Sequence, residues 1–270
     1  MTDPGVPAVV PQRLPPELPD SLQALRARTP ARVLVGRAGP AYRTATQLEL
    51  RQDHAAALDA VHAEFALERD LGRTFVERWQ LFEVQTQARD KAEYLRRPDL
   101  GRRLDAAARS AVAAQCPAGA DVQVVIGDGL SVAAVVKQVP PLLPLLAAET
   151  QARGWTFGRP FAVRYCRVGV LIDVGELLDP SVVILLIGER PGLATAESLS
   201  AYLAYRPRPG HTDAQRNLIS NIHGRGVSVE DAARRLLALA AQMRQKQTSG
   251  VAVKEELTGL GPTSGFIEGT

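Results

Sequence analysis

One apolar run constrains the fold of this chain more than any other feature. Residues 182–187 are all valine, isoleucine or leucine, and the run ends at a glycine that is followed by Glu189, Arg190 and a proline. A strand covered on both faces has this continuous apolar composition, and ligands of open α/β sheets bind beyond the carboxyl ends of such strands. The run therefore predicts a buried strand that delivers Glu189 to a ligand-binding edge. A structural turn in which Glu189 and Arg190 pair with each other or with a neighbouring helix fits the run equally well.

After residue 120 the chain alternates between strand and helix patterns. Strands are predicted at 122–126, 161–164 and 182–187, and helical patterns lie between and after them. Alternating strands and helices imply a parallel sheet with helices on both sides. We therefore predict an α/β fold in which a Rossmann-like doubly wound parallel sheet follows an N-terminal helical lobe.

Four segments are predicted along the chain. Six prolines in the first 20 residues predict a flexible tail over residues 1–30, because proline fixes φ and removes a backbone donor. A helical lobe is predicted over 31–118 and the Rossmann-like domain over 119–254. Residues 255–270 are rich in glycine, threonine and serine and are predicted to fray.

Within the helical lobe, an amphipathic pattern runs from Thr44 to about Arg69. Leu58, Val61 and Phe65 recur at helical spacing and are predicted to form its buried face. The following segment, residues 75–86, mixes aromatic and β-branched side chains without a clean period. That segment carries no prediction of secondary structure.

Composition excludes several functional classes. The 32 basic residues are nearly balanced by 29 acidic ones, which leaves too small an excess for a nucleic-acid footprint. No apolar run is expected to reach the roughly 20 residues of a membrane span. Cys116 and Cys166 have the spacing of neither a disulfide framework nor a zinc site, and the four histidines form no close ligand pair. We expect a cytoplasmic chain that binds no metal directly.

Two polar motifs have alternative interpretations. Residues 127–131, with the sequence Gly-Asp-Gly-Leu-Ser, follow a strand and precede a helix. Such a loop brings backbone N–H groups close to a ligand, or it makes a tight turn in which Ser131 caps the helix. The third glycine of a dinucleotide fingerprint is missing. Asn221 and His223 have no neighbouring carboxylate, so a loop-structuring or interfacial role is preferred over acid–base catalysis.

Several separate stretches resemble the small subunit of ethanolamine ammonia-lyase, an adenosylcobalamin-dependent enzyme. Each stretch is short and would be weak evidence of a relationship on its own. Together they follow the family's order and approximate spacing from roughly residue 32 to residue 253. They are residues 36–40, 94–95, 97–104, 128–131, 167–168, 188–193, 198–199 and 219–223.

The resemblance implies a carbon–nitrogen lyase, active only with its large subunit, that degrades ethanolamine to acetaldehyde and ammonia by radical chemistry. It implies that Val168, Glu189 and Leu218 contact the cobalt-containing corrin of adenosylcobalamin, and that this chain supplies no catalytic side chain. The implied partner is the large subunit, a TIM barrel, in a hetero-oligomer with several copies of each chain. The implied location is the cytoplasm, free or inside a bacterial microcompartment.

Two positions depart from well-known relatives, which carry cysteine at the position of Leu218 and glycine at that of Cys166. A backbone contact at 218 would survive the change, whereas a thiol contact would be lost. The competing interpretation is a stand-alone Rossmann-type nucleotide-binding oxidoreductase or transferase, supported by Asp128 and its flanking glycines. A non-enzymatic scaffold protein is a third interpretation.

Overall fold

A computed structural model describes residues 20–27 and 35–255. Most of the two predicted tails lies outside these residues, but the N-terminal one includes a helix, α1 (Asp20–Ala27). A two-stranded hairpin follows, formed by β1 (Arg37–Ala38) and β2 (Ala41–Tyr42). The chain divides between residues 43 and 44 into two compact units, of which the second contains everything described below.

Strands and helices alternate through most of the second unit. Its strands are β3 (Glu83–Gln85), β4 (Val122–Gly127), β5 (Phe161–Arg164), β6 (Val182–Gly188), β7 (Leu199–Tyr205) and β8 (Asn217–Ile222). Its helices are α2 (Thr44–His62), α3 (Leu67–Leu71), α4 (Arg73–Trp79), α5 (Lys91–Arg96), α6 (Ala106–Gln115), α7 (Val132–Ala152), α8 (Val170–Leu178) and α9 (Val229–Lys246). Short 3-10 helices occur at Leu100–Arg102, Asp213–Gln215 and Gly250–Ala252.

One six-stranded sheet organises this unit, in the order β3-β5-β4-β6-β7-β8. The α/β class and the three predicted strands are confirmed, and β3, β5, β4 and β6 are parallel. The last two strands differ from the predicted parallel arrangement, because β7 is antiparallel to β6 and β8 is antiparallel to β7. The reason is the length of the connections. Residues 189–198 and 206–216 are too short for the helical crossover that a parallel pair needs.

The sheet separates two apolar clusters, one on each face. Alternate residues of β6, such as Ile184 and Leu186, belong to the cluster that includes α7 and α9. Their neighbours, such as Leu185, belong to the cluster that includes α6 and α8. All seven residues of β6 are buried. This two-sided burial is what the continuous apolar run predicted.

The N-terminal part of the second unit differs from its prediction. The predicted helix ends at His62, so Phe65 is buried outside it, while Leu58 remains 52% exposed. Residues 83–85, which carried no prediction, form β3 and pair with β5. The predicted helical lobe therefore contributes a strand to the main sheet, and the compact unit continues across residues 118–119.

Helix α7 is 21 residues long and apolar enough, by length and composition alone, to cross a membrane. No apolar run of that kind was expected from the sequence. In the structure, Val135, Val139, Leu142 and Leu146 of this helix are fully buried in the core cluster between α9 and the sheet. A core helix of a globular domain has the same composition as a membrane span, so this helix has a structural role here.

Candidate functional site

Several of the resembling stretches within the second unit meet at one edge of the sheet. The loops that begin at Asp128, Tyr165 and Glu189 follow the carboxyl ends of the parallel strands β4, β5 and β6. Strand β8 runs in the same direction as β6, so His223 lies at this edge too. Residues 100–104 join them, because the N–H of Arg167 donates to the carbonyl oxygen of Gly101 at 2.8 Å.

Asp128 fixes the loop after β5. Its buried carboxylate accepts hydrogen bonds from the backbone N–H groups of Tyr165 at 2.9 Å and Cys166 at 2.8 Å. Tyr165 has a φ of 55°, which a non-glycine residue adopts only where its surroundings hold it. Burial raises the pKa of Asp128, and the charge of the buried Lys91 opposes that shift. These contacts set the direction in which the chain continues into Arg167 and Val168.

The glycine loop after β4 is packed against its own chain. Gly129 has a φ of 58°, and the N–H of Leu130 donates to the carbonyl oxygen of Gly188 at 3.0 Å. The hydroxyl of Ser131 accepts from the N–H of Ala134 at 3.3 Å and so caps α7. The structure therefore favours the tight-turn interpretation of this motif over a loop that holds a ligand phosphate.

A groove of about 400 Å³ lies beside α8 on an open part of the sheet. Helices α6 and α8 pack on this face of the sheet, yet Leu218 on β8 remains 44% exposed. Leu218 stands directly opposite Tyr202 of β7, whereas Ile219 points to the other face and is buried. The groove is lined in part by Arg102, Arg167, Val168, Tyr202, Arg216 and Leu218. Two of the three predicted site residues, Val168 and Leu218, thus share one groove.

Glu189, the third predicted site residue, lies in an adjacent part of the surface. It lines a cavity of about 310 Å³ together with Ser220 and Asn221. Its N–H donates to the carbonyl oxygen of Ser198 at 3.1 Å. Within residues 20–27 and 35–255, its half-buried carboxylate has neither a hydrogen bond nor an ion pair, so the predicted structural pairing with Arg190 is not made. This carboxylate is available to accept hydrogen bonds from a ligand.

Electrostatic coupling links the groove to Glu189. Burial raises the pKa of the Tyr202 hydroxyl, and the charges of Glu189 and Asp213 raise it further. Because Tyr202 lines the groove, the charge of Glu189 acts on a group inside it. The two cavities are neighbouring parts of one surface, because Leu218 of the groove and Ser220 of the other cavity are both exposed on β8, two residues apart.

Three arginines in the groove were not among the predicted site residues. Arg102 and Arg167 lie in resembling stretches, whereas no sequence signal singled out Arg216. The guanidinium of Arg167 lies over the Tyr94 ring, 4.3 Å from its centroid. The groove therefore combines apolar and positively charged surface.

His223 has a structural role that agrees with its preferred interpretation. The imidazole is 5% exposed, and its Nε2 lies 2.7 Å from Oδ1 of Asn221. Its Nδ1 accepts from the N–H of Arg225 at 3.2 Å, which makes Nε2 the protonated nitrogen. Burial and the charge of Arg225 lower the pKa of His223. The ring holds together the turn that follows β8.

Metal-binding and redox groups are not gathered at this site. Among the residues that the structure describes, no three histidine, cysteine, aspartate or glutamate side chains are close enough to hold a metal ion. Cys116 and Cys166 are both buried and free. The side chain of Cys166 fills the space beside Gly127, where an added Cβ would lie 2.8 Å from its Sγ.

Two comparisons with known proteins agree with the resemblance. The family model described as ethanolamine ammonia-lyase light chain matches residues 19–254. The chain is also 41% identical over 230 residues to the ethanolamine ammonia-lyase small subunit of Clostridium perfringens. That similarity covers 85% of this chain and 76% of the relative.

Proposed function

This chain belongs to the ethanolamine ammonia-lyase light-chain family, and from that premise we propose that it holds part of adenosylcobalamin beside a large subunit in a lyase complex. The observation that carries the proposal is the open face of β7 and β8. There Val168 and Leu218 line one groove, and the unpaired carboxylate of Glu189 lies beside it. Strands β7 and β8 are antiparallel, and antiparallel strands can leave one face open in this way.

The residues present fit a corrin. The rim of a corrin carries neutral amide arms whose NH₂ groups need acceptors, and its faces are broad and apolar. Glu189 supplies an acceptor, while Val168 and Leu218 supply apolar surface and backbone polar groups. Leucine at 218 preserves the apolar contact and any backbone contact. It cannot reproduce a contact made by a thiol.

The size of the groove indicates a shared site. Pockets for drug-sized ligands enclose roughly 300–1,000 Å³ and bury most of the ligand. A cobalamin is much larger than such ligands, so a groove of about 400 Å³ covers only part of it. We therefore assign the rest of the site to the large subunit, which we propose is a TIM barrel that also binds the substrate.

The division of labour follows from the side chains. When bound, adenosylcobalamin supplies the radical chemistry that converts ethanolamine to acetaldehyde and ammonia. The residues of this chain orient the cofactor and exclude water from one side of it. We propose no catalytic residue in this chain. The residues that line the groove include no nucleophile–base pair, and both ring nitrogens of His223 make hydrogen bonds within the turn that follows β8. We further propose a cytoplasmic location, free or within a bacterial microcompartment.

The packing of the glycine loop weighs against a stand-alone nucleotide-binding oxidoreductase or transferase. A dinucleotide site needs the loop after the first strand to present its N–H groups to a pyrophosphate. Here the N–H of Leu130 is bonded to Gly188, and Gly188 covers the loop. A nucleotide at this place would have to displace a buried strand end.

Reconstitution tests the proposed function. This chain, the large subunit and the two together would each be supplied with adenosylcobalamin and ethanolamine. We expect ammonia release and a stable long-wavelength cobalamin spectrum only from the mixture. Ammonia release by this chain alone, or full activity of the large subunit alone, would contradict the division of labour.

A further inference from the structure

The groove that holds Val168 and Leu218 is strongly cationic. Three guanidinium groups line it, from Arg102, Arg167 and Arg216, against one carboxylate, that of Asp213. Among the described residues, Arg102 and Arg167 have no carboxylate partner. Asp213 pairs with Arg216 at 2.5 Å, but its side chain is 82% exposed while that of Arg216 is 11% exposed. The net charge inside the groove is therefore positive.

Concentrating these cations in one place is unfavourable without an anion. Burial lowers the pKa of Arg216, and repulsion from Arg102 adds to the effect. The buried Nε atoms of Arg167 and Arg216 have no hydrogen-bond partner. An anion in the groove would offset the repulsion between these guanidinium groups and the cost of burying Arg216.

The start of helix α8 is packed against Arg102. The first three N–H groups of this helix donate to the carbonyl oxygens of residues 167–169, so an anion in the groove would be contacted by the arginine side chains. A Cβ at Gly169 would lie 2.6 Å from Cβ of Arg102, so this close approach requires glycine. The helix start and Arg102 are thereby held against each other.

We infer that this groove is a subsite for a phosphate ester. Arginine presents planar, paired donors that match the non-bridging oxygens of phosphate, and three such groups surround the groove. The identity of the ester rests on the proposed function. Cobalamin carries one permanent negative charge, the phosphodiester of its nucleotide loop, and that group is the one assigned here. Val168 and Leu218 then contact the apolar part of the same ligand.

Comparing the affinities of corrinoids with and without a phosphate group distinguishes this subsite from the rest of the cofactor site. Affinities of the complex with its large subunit would be measured by equilibrium dialysis for adenosylcobalamin and for adenosylcobinamide, which lacks the nucleotide loop. Arg216→Gln and Arg102→Gln are expected to weaken adenosylcobalamin binding about tenfold to a hundredfold, the usual range for a charge-assisted hydrogen bond. Adenosylcobinamide binding should change less than threefold.

Arg208→Gln is the matched control. It removes the same charge from an exposed arginine that does not line the groove, so it should alter neither affinity. An equal loss of both corrinoids in Arg216→Gln would overturn the phosphate assignment. So would weakened assembly with the large subunit while both affinities stay unchanged, because the arginines would then be interface ion pairs.

A second measurement keeps the subsite testable if no corrinoid binds. Inorganic phosphate, compared with chloride at equal ionic strength, should raise the Tm of the unmodified chain more than that of Arg216→Gln. Phosphate stabilisation without corrinoid binding would support the subsite and refute the proposed function. Equal phosphate stabilisation of both proteins, together with unchanged adenosylcobalamin affinity, would refute the subsite alone.

Discussion

The carbonyl oxygen of Gly188 lies 2.2 Å from the position that a Cβ on Gly129 would occupy. The loop after β4 and the end of β6 are therefore in direct backbone contact, and Gly129 also has a φ of 58°. We predict that Gly129→Ala lowers the free energy of unfolding by about 2–4 kcal/mol, because left-handed strain and overpacking add.

Gly154→Ala provides the control for strain alone. Gly154 has a φ of 70°, but nothing lies within 4 Å of an added Cβ. This variant should lower the free energy of unfolding by only about 1–2 kcal/mol. Urea unfolding of both variants measures the difference. Equal decreases in the free energy of unfolding would show that the backbone around Gly188 moves away from the added Cβ at little cost.

Glu189→Ala should separate ligand binding from stability. Its carboxylate has no partner within the described part of the chain, so the free energy of unfolding should change by less than about 0.5 kcal/mol. Adenosylcobalamin affinity of the complex should fall about tenfold to a hundredfold, because charge-assisted hydrogen bonds to the corrin amides are lost. Leu218→Ala, which trims apolar contact, should weaken binding less. Reduced stability with unchanged affinity for adenosylcobalamin would show that Glu189 is not part of the binding site.

Asp173 connects α8 to the segment that carries Arg102. This carboxylate is 1% exposed and accepts from the N–H of Leu104 and from Arg103, both at 2.8 Å. Asp173→Asn should lower the free energy of unfolding by about 1.5–3 kcal/mol, since a buried charge-assisted bond is weakened. Asp179→Asn, which breaks an exposed pair with Arg206, should cost less than about 1 kcal/mol. Denaturant unfolding compares the two, and similar losses would contradict the argument.

The pKa of His223 predicts a stability change in mild acid. Its folded-state pKa is lowered, so between that value and the unfolded value near 6.5 the unfolded chain binds the proton more strongly. The contribution of His223 to stability is thus present above pH 6.5 and declines as the pH falls below it. The slope is at most about 1.4 kcal/mol per pH unit.

His223→Gln isolates that contribution from the other titrating groups. The difference in free energy of unfolding between the parent and this variant should shrink as the pH decreases from 7.5 to 5.5. Protonation puts a charge on a buried ring beside the charge of Arg225, and it also removes the acceptor for the Arg225 N–H. A difference that stays constant over this range would mean that His223 keeps its ordinary pKa in the folded protein.

Sequence patterns predicted three of the four parallel strands, but they predicted neither β3 nor the two antiparallel strands. The run at 182–187 predicted β6 because burial on both faces requires continuous apolar residues. Strand β8 has only Ile219 and Ile222 buried, and a register irregularity between β7 and β8 interrupts their alternation. A strand with that irregularity shows no period of two.

The same reasoning explains which parts of the site were visible. Val168, Glu189 and Leu218 were identified by resemblance, which uses local stretches of sequence. Arg216 becomes significant only because folding brings it into the groove with Arg102, more than 100 residues earlier. Proximity of this kind depends on the path of the backbone, and neither composition nor spacing reports it.

The exposed outer face of β8 contributes little to the packing that holds this strand in place. Ile219 and Ile222 hold the strand to the core, while Leu218 before them and Ser220 between them are exposed to solvent. Substitutions at the solvent-facing positions leave the buried packing intact, so the chemistry of this surface can change without a matching change in the core.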